Sequence, residues 1–463
     1  MHNVPGFYLL LVPLVVTAIP STSGATDIIW ETTTDFNAKF HDICEVSADS
    51  LVIAGSMASR PCLFLYETGE DTLWTCWGHP EILSSGALVW VEEVPQGYIS
   101  CGSVTHPDGN KDALLVLIDR YGEIVWRRTF DTGEAEAIRA VIGNSTGGYF
   151  ACGYREVGDY DGEHVWTFRL TESGDTLWTD TWANPNPCRG NALAESPGGD
   201  VAVIAQAGRP CMLLYDQEGE LLWSRYYWEI SVTPPKGLVA RSDGYCFATF
   251  FYCTVCRTDL LGEILWQENF AGVSGENCFN GLAGTHDSGY VAAGYVREVR
   301  DGSPQEPRGQ YDGWIVRITP DGGWLWYDRI QRPSSVRLRG VTQRQTGGYI
   351  AVGYQGAYGY QICYGPETGV EEFSRQERCQ LELCPNPFRS SLRVSFDLPF
   401  ADDANLRITD LAGRSVAFLA EGCAAAGEHI IEWNPDSELP SGCYMVVLEA
   451  CGRRAVSPAV LIR

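Results

Sequence analysis

Positively charged residues are scarce in this chain of 463 residues. It has 33 Lys and Arg against 59 Asp and Glu, which gives a formal net charge of -26 and an isoelectric point near 4.6. Proteins that bind nucleic acid or anionic membrane surfaces use Lys and Arg to neutralise phosphates and release counterions. The charge balance therefore argues against both kinds of partner.

Long apolar segments are missing beyond the N-terminal region. Residues 7–19 form an apolar run that is too short to span a bilayer, and small residues follow it as far as Ala25. This pattern predicts a signal peptide over residues 1–25, although its first three residues include no Lys or Arg. No later segment predicts a transmembrane helix, so we expect the exported mature chain to be soluble.

Metal-ligand spacing is missing among the seven histidines, which argues against a zinc hydrolase. Cys253 and Cys256 are three residues apart, but such residues face opposite sides of a predicted strand and could not share a metal there. All 17 cysteines follow the predicted cleavage site. Export into an oxidising compartment favours disulfides, with at least one cysteine left over because the number is odd.

The composition that remains, with 50 Gly, 15 Trp and 22 Tyr, favours strands and tight turns and predicts an all-β protein. An internal repeat organises it. Its first signature is Gly-Tyr followed by Gly four residues after the Tyr, as from Tyr149 to Gly153, and seven copies occur when degenerate ones are included. The second signature is a turn Gly with Trp four residues later, as at Gly174 and Trp178.

Each repeat predicts four strands, which in the third repeat span residues 137–144, 149–154, 164–171 and 175–182. Seven such units predict a seven-bladed β-propeller over residues 26–372, with the Trp packed between neighbouring blades. The last repeat has Phe373 where the others have Trp. Either residues 28–30, which end in Trp30, complete the last blade and close the ring, or residues 370–373 form its fourth strand.

The pattern of strand, turn Gly and Trp resembles the docking repeats of pyrroloquinoline-quinone propellers and their non-catalytic relatives. The resemblance implies the fold. The ligands that hold the calcium and cofactor in the quinoprotein enzymes cannot be assigned to residues of this chain, so no cofactor is expected from it.

The repeat ends before a charged linker over residues 373–385, and residues 386–463 predict six short strands in a small β-sandwich. Pro385-Asn386-Pro387-Phe388, Phe396-Asp397-Leu398-Pro399 and Leu439-Pro440-Ser441-Gly442 are among five ordered motifs. They resemble the type IX secretion C-terminal sorting domain and its immunoglobulin-like relatives. The resemblance implies cargo of a Gram-negative bacterium, a partner in the type IX machinery, and a secreted or outer-membrane surface location. An immunoglobulin-like domain without a sorting role is the alternative.

Oxygen-rich loops occur at equivalent places in two repeats. Asp108, Asn110 and Asp112 lie in one, and Asp159 and Asp161 in the next. Carboxylate and amide oxygens are ligands that Ca²⁺ prefers, so these residues are weak candidates for a surface calcium site. Solvated acidic loops are the alternative.

The loops between the second and third strands are long at residues 103–112, 155–163 and 295–312, which predicts a binding face at one mouth of the propeller channel. About ten residues before each Tyr position lie polar, mostly cationic residues: His41, Arg139, Arg189, Lys236, Asn280 and Arg339. We hypothesise that they form a partly basic ring for an anionic or polyhydroxyl ligand. Solubilising residues or counterions for nearby carboxylates are the alternative interpretation.

Two functions remain open at the level of sequence. One is a binding protein that contacts a glycan, peptide or protein through the long-loop face. The other is an extracellular propeller enzyme of the glycosidase, polysaccharide lyase or quinoprotein type. A glycosidase would need two carboxyl groups at a suitable separation, which a linear sequence folded as a ring of blades does not reveal.

Overall fold

The computed structural model describes residues 28–48, 50–67, 72–77, 85–158, 162–270, 277–297, 310–367, 381–398, 402–410, 414–424, 427–436, 439–450 and 453–462. The elements with bounds in these residues are β-strands, which confirms the all-β prediction. No described helix is long and apolar enough to cross a membrane. The predicted signal peptide, residues 370–373, most of the predicted linker, Asp159 and Asp161 lie outside the described residues.

The repeat region is a succession of short strands. In chain order they are β1 (Ile28–Ser47), β2 (Ser50–Met57), β3 (Arg60–Glu67), β4 (Thr72–Trp77), β5 (Ser85–Val94), β6 (Gly97–Thr105), β7 (Lys111–Ile118), β8 (Ile124–Phe130), β9 (Glu136–Gly143), β10 (Tyr149–Glu156), β11 (Glu163–Leu170), β12 (Thr176–Trp182), β13 (Cys188–Glu195), β14 (Val201–Ala207), β15 (Arg209–Tyr215), β16 (Leu221–Tyr226), β17 (Pro235–Arg241), β18 (Gly244–Thr249), β19 (Thr254–Thr258), β20 (Ile264–Asn269), β21 (Cys278–Gly284), β22 (Tyr290–Arg297), β23 (Tyr311–Ile318), β24 (Trp324–Ile330), β25 (Val336–Gln343), β26 (Tyr349–Gln355) and β27 (Tyr358–Tyr364). The four strands predicted in the third repeat are confirmed as β9 to β12.

Strands β5 to β24 form successive antiparallel sheets of four strands, each made of four consecutive strands. The remaining strands form one seven-stranded sheet in the order β25-β26-β27-β1-β2-β3-β4. The first part of β1 pairs with β27, with Trp30 opposite Cys363, and its second part pairs with β2, with Phe40 opposite Gly55. This pairing confirms the prediction that the N-terminal strand adds to the last repeat.

The first strand of each repeat is its innermost one, and we call β5, β9, β13, β17, β21, β25 and the second part of β1 the inner strands. Neighbouring inner strands contact each other in chain order, and β25 contacts β1, so the succession closes on itself. The buried apolar residues lie between consecutive sheets, as where Ile99 and Leu115 of one sheet pack with Ala151 of the next. Sheets arranged radially around a centre in this way form a β-propeller.

Tryptophans join the outer edges of neighbouring sheets. A Cβ atom on the turn residue Gly174 would lie 2.9 Å from the ring of Trp126 in the preceding sheet, and one on Gly322 would lie 2.9 Å from the ring of Trp266. Each indole therefore covers the turn glycine of the following repeat. The predicted packing of Trp between repeats is confirmed at these positions.

A second group of strands follows the repeat region: β28 (Glu382–Cys384), β29 (Leu392–Leu398), β30 (Asp402–Thr409), β31 (Ser415–Ala424), β32 (Gly427–Trp433), β33 (Gly442–Ala450) and β34 (Arg453–Leu461). They form a three-stranded sheet, β28-β29-β32, and a four-stranded sheet, β31-β30-β33-β34. The sequence predicts six of these strands. The seventh, β28, lies in the segment expected to be linker and pairs with β29.

The expected disulfides do not form among the cysteines that the structure describes. Most of these cysteines are buried, and Cys101, Cys152 and Cys211 pack in the apolar layers between sheets as small hydrophobic side chains. Cys253 precedes β19 in a turn with a φ of 44°, so it does not lie on the strand with Cys256 as the sequence suggests.

Candidate functional site

All seven inner strands contain a β-bulge at the same level. The pairing with the second strand of each repeat skips one residue at this point, and the residues skipped are His41, Val89, Arg139, Asn191, Gly237, Asn280 and Arg339. A bulge bends its strand and re-aims the side chain of the extra residue. We call these seven positions the bulge residues.

The bulge residues surround a central cavity of about 580 Å³. This volume is within the range of small-molecule binding sites. Five of the six residues predicted to form the polar ring line this cavity, namely His41, Arg139, Lys236, Asn280 and Arg339. The sequence hypothesis therefore placed these five residues together, although four are bulge residues and Lys236 precedes one.

Arg189 is not among the residues that line the cavity, and Asn191 takes its place. The fourth repeat lacks the Gly-Tyr signature and has Asp200 at the Tyr position. Counting back from Asp200 therefore gives Arg189 instead of the residue that is equivalent to Arg139 of the preceding repeat. In the structure Val201 pairs with Glu195 as Tyr149 pairs with Gly143 in the preceding repeat, and ten residues before Val201 is Asn191. Arg189 instead forms an ion pair with Glu163.

Amides and aromatic rings hold the arginines of the cavity. Arg139 Nη1 donates a hydrogen bond of 3.1 Å to Asn191 Oδ1, and the Arg139 and Arg189 guanidinium carbons lie 5.4 and 4.9 Å from the centre of the Tyr154 ring. The amide and the ring orient the Arg139 guanidinium without neutralising it, whereas Arg189 is also paired with Glu163.

A similar pair lies across the cavity. Arg339 Nη1 donates to Asn280 Oδ1 at 3.3 Å, and Nη2 donates to the Tyr354 hydroxyl at 3.2 Å. The Asn280 amide in turn donates to the Leu338 carbonyl at 2.8 Å, which fixes its orientation. The Nε atoms of Arg139 and Arg339 are buried and have no hydrogen-bond partner.

Lys236 lies among these arginines and, within the described residues, makes no hydrogen bond or ion pair. Burial lowers the pKa of Lys236 to about 7, and the charges of Arg139, Arg339 and Arg189 lower it further in the same direction. Burial likewise lowers the pKa of His41 to about 3, with Arg339, Lys39 and Lys236 contributing, so His41 is neutral at physiological pH. The cavity therefore holds an excess of positive charge.

The lysines of the chain are concentrated near the cavity. The whole chain has three lysines, Lys39, Lys111 and Lys236. Lys111 and Lys236 line the cavity, and Lys39 is two residues from His41 with its amine 5.7 Å from the centre of the Tyr354 ring. A chain that is acidic overall thus places all of its lysines at or beside the centre of the propeller.

Two carboxyl groups also line the cavity. Asp42 Oδ2 accepts a hydrogen bond of 2.9 Å from the Val91 backbone N–H, and Glu92 Oε1 accepts one of 3.1 Å from that of Gly143. Each carboxyl therefore links its inner strand to the next one. Burial raises the pKa of both Asp42 and Glu92 to about 7.

The structure places the calcium candidates predicted from the sequence in different environments. Asp108 Oδ1 accepts a hydrogen bond of 3.0 Å from the Asn110 backbone N–H, which is a local turn contact. Asn110 Nδ2 donates to Asp112 Oδ1 at 3.3 Å, while Asp112 itself lies close to the carboxylates of Asp131 and Glu136. The side-chain oxygens of Asp108, Asn110 and Asp112 therefore do not converge on one metal position.

Sequence reasoning missed Asn191, Tyr154, Asp42 and Glu92. Asn191 could have been found by aligning the second strands rather than the Gly-Tyr signature. The two carboxyls carry no spacing signal, because their approach depends on the neighbouring inner strands, which are about 50 residues away in sequence.

No protein-family model matches the sequence, and no curated protein matches it. Similar solved structures include a protein of unknown function from Bacteroides caccae, with 14% identity, 55% of this chain and 93% of that chain covered, and a TM-score of 0.37. BamB from Moraxella catarrhalis has 12% identity, coverage of 76% and 100%, and a TM-score of 0.40. BBS1N in complex with ARL6DN has 9% identity, coverage of 76% and 100%, and a TM-score of 0.45. Neither a ligand nor a reaction for this chain follows from these similarities.

Proposed function

We propose that this chain is an exported binding protein whose seven-bladed propeller holds an anionic group of its ligand in the central cavity. The observation that carries the proposal is Lys236, an amine without a hydrogen bond or ion pair among the described residues, which lines the same cavity as Arg139 and Arg339. Clustering like charges in a poorly solvated site is unfavourable unless an opposite charge joins them. A carboxylate, sulfate or phosphate of a ligand would supply that charge.

The negative net charge of the chain does not oppose this function. Charges separated by more than about 8 Å are largely screened at physiological ionic strength. An anion in the cavity therefore responds mainly to the groups that line it, where Lys111, Lys236, Arg139 and Arg339 outnumber the carboxyl groups of Asp42 and Glu92. The surface carboxylates contribute to solubility instead.

The count of seven blades rests on the seven inner strands and their common bulge. The seven-stranded sheet divides at β1 into two four-stranded units that share this strand, one with β25 to β27 and one with β2 to β4. With the separate four-stranded sheets, this division gives seven blades. The N-terminal strand gives the last blade the same four strands as the others, because residues 28–33 pair with β27.

The route of export is proposed from the C-terminal module. Phe388, Phe396, Trp433 and Tyr444, which belong to the motifs that resemble the type IX sorting domain, are all buried in it. The Phe388 and Trp433 ring centres are 5.5 Å apart, and those of Trp433 and Tyr444 are 6.1 Å apart. The motifs therefore supply the core of a two-sheet, immunoglobulin-like module, which supports the proposed kinship and a location outside the outer membrane.

Expression in a bacterium with type IX secretion tests the route. The full chain should reach the medium or the cell surface, and a chain that ends at residue 372 should remain in the periplasm. Equal release of both chains would contradict the sorting role and leave the anion site untouched.

Amine labelling with peptide mass spectrometry tests the binding site, because only three lysines can react. Citrate, inorganic sulfate and trigalacturonate are suitable probes. We expect a bound anion to slow acylation of Lys236 more than that of Lys39 or of the N-terminal amine. Equal labelling of Lys236 with and without each anion would overturn the proposal for these chemistries.

Charge reversal gives an independent measurement of the same site. Arg139→Glu and Arg339→Glu should each weaken binding of a protecting anion about ten- to a hundredfold, the range expected for a lost hydrogen bond to a charged group. Arg389→Glu makes the same change of charge at an exposed position of the C-terminal module and should leave affinity unchanged. Unchanged binding by both cavity variants would exclude the arginines from the site.

A second candidate function is favoured by one observation, the presence of Asp42 and Glu92 in the same cavity with a raised pKa. A carboxyl with a pKa near 7 can act as a general acid at neutral pH, as glycosidases require. Incubation with oligosaccharides followed by chromatography would detect this activity, which should disappear in Glu92→Gln. Absence of turnover, together with anion protection of Lys236, would favour the binding protein.

A further inference from the structure

Three carboxylates meet where the second and third repeats adjoin. Asp112 is the second residue of β7, Asp131 directly follows β8, and Glu136 begins β9. One carboxylate oxygen from each lies within 4.8 Å of one from each of the others. The topology therefore brings together residues from two neighbouring sheets and the loop that joins them.

Burial distinguishes this cluster from ordinary surface acids. Glu136 is 0% exposed and Asp112 is 6% exposed, while Asp131 is exposed at the rim. Glu136 Oε1 accepts hydrogen bonds from the Thr132 backbone N–H, at 3.1 Å, and from the Thr132 hydroxyl. Glu136 Oε2 is buried and has no hydrogen-bond partner.

The remaining contacts of the cluster come from a histidine ring, the Asn110 amide and a backbone N–H. His106 Nε2 lies 2.7 Å from Asp112 Oδ2, and Asp131 Oδ1 accepts a hydrogen bond of 2.8 Å from the Gly133 backbone N–H. No lysine or arginine of the described residues forms an ion pair with the three carboxylates. Burial raises the pKa of Glu136, the hydrogen bonds from Thr132 partly oppose this rise, and the nearby charges of Asp112 and Asp131 add to it.

A proton could neutralise Glu136, but it would leave a buried O–H group without an acceptor, since Oε2 has no hydrogen-bond partner. Burying an unpaired polar group is unfavourable. A cation resolves both problems, because it compensates the charge and occupies the free lone pairs of Oε2.

We propose that Asp112, Asp131 and Glu136 bind a calcium ion. Calcium takes oxygen ligands at about 2.3–2.6 Å, so two oxygens bound to one ion lie at most about 5 Å apart, and the three carboxylates meet this condition. Calcium also accepts six to eight ligands in flexible geometry, which allows water and backbone carbonyls to complete the shell. Magnesium demands a stricter octahedron and retains more of its water.

The bound ion links β7 to the start of β9, which is the inner strand that carries Arg139 three residues later. It lies outside the cavity, and the proposal does not depend on the anion site. Asp112 is the one residue shared with the set suggested by sequence, whereas Asp131 and Glu136 come from the following loop and strand.

Thermal unfolding of the chain from residue 26, with and without calcium, tests the proposal. The Tm of the natural chain in EGTA is the metal-free reference. Relative to it, added free Ca²⁺ should raise the Tm in a saturable way, with half-saturation in the range of about 10⁻⁴ to 10⁻³ M that is typical of extracellular modules. Glu136→Gln keeps the shape and removes the charge, so calcium should no longer raise its Tm. Asp108→Asn, in the same loop but outside the cluster, is the matched control and should respond like the natural chain.

The stability of Glu136→Gln in EGTA gives a second readout. Removing an uncompensated buried charge should leave the variant at least as stable as the metal-free natural chain. If Glu136→Gln does not fold, Asp131→Asn at the exposed rim should reduce calcium affinity instead. No saturable calcium effect on the natural chain, an equal effect of MgCl₂, or an unchanged response in the cluster variants would each overturn the proposal.

Discussion

The indole of Trp178 donates a hydrogen bond of 2.9 Å from Nε1 to the backbone carbonyl of Gln217 in the next sheet. The same arrangement joins Trp126 to the Glu172 carbonyl at 2.9 Å and Trp266 to the Pro320 carbonyl at 3.1 Å. The acceptor is in each case a residue of the turn between the third and fourth strands of the following repeat. One side chain thus supplies apolar contact and a directed hydrogen bond at each junction.

Gly219→Ala should disrupt the junction that Trp178 makes. The glycine has a φ of 93°, and a Cβ atom there would lie 2.7 Å from the Trp178 ring. An L-residue in a left-handed conformation costs about 1–2 kcal/mol, and the displaced indole adds to this loss. Chemical denaturation should show a lower free energy of unfolding than for Gly133→Ala, a matched glycine with a φ of 87° and no atom within 4 Å of its added Cβ. Equal losses in the two variants would mean that the ring contact contributes nothing.

The closing strand should contribute to the stability of the whole ring. Residues 28–33 pair with β27, and Glu31 forms an ion pair with Arg332 and accepts a hydrogen bond of 2.7 Å from the Tyr360 hydroxyl. A chain that begins at residue 35 loses these contacts and leaves β27 as an open edge, so its Tm should fall relative to a chain that begins at residue 26. Glu31→Gln separates the ion pair from the strand pairing and should lower the Tm less. An unchanged Tm in the truncated chain would contradict closure by β1.

The sequence predicted the repeat well because its signatures report local physics. Gly174 and Gly219 are required by a positive φ beside an indole, and such requirements recur wherever the same turn recurs. The ring of polar residues was found for the same reason, since equivalent positions in a repeat occupy equivalent places in the propeller. Arg189 is not among the residues that line the cavity, because its repeat lacks the signature used for counting.

The rest of the site depends on contacts between repeats, which leave no periodic trace. Asp42 reaches the Val91 backbone of the next inner strand, and Glu136 meets Asp112 across a sheet boundary. A cysteine such as Cys152 likewise gives no sign in sequence that it packs as a small apolar side chain between sheets. Only the folded geometry distinguishes these roles from solvated acids and disulfide partners.

Asp42→Asn should stabilise the chain at alkaline pH. The folded pKa of Asp42 is about 7, above its ordinary value of 3.8, so the folded state binds more protons than the unfolded state between these values. The contribution of Asp42 to stability is present below pH 3.8 and is lost as pH rises through 7. The Tm of Asp42→Asn should therefore exceed that of the natural chain by more at pH 8 than at pH 4, while Glu220→Gln, at an exposed turn, should show no such trend. A constant difference across this range would contradict the raised pKa.

Lys236→Met should also stabilise the chain, with the opposite dependence on pH. The folded pKa of Lys236 is about 7, below its ordinary value of 10.5, so the unfolded state binds more protons between these values and stability rises with pH through that window. The destabilising effect of Lys236 is complete below pH 7 and fades toward pH 10.5. The Tm gain of Lys236→Met should therefore be largest near pH 6 and small near pH 10, and Lys111→Met, the same substitution at another lysine of the cavity, is the matched control.

A bound anion compensates the same charge, so millimolar sulfate or citrate that raises the Tm of the natural chain should raise that of Lys236→Met less. An equal rise in both would reflect a general salt effect and would remove Lys236 from the binding site.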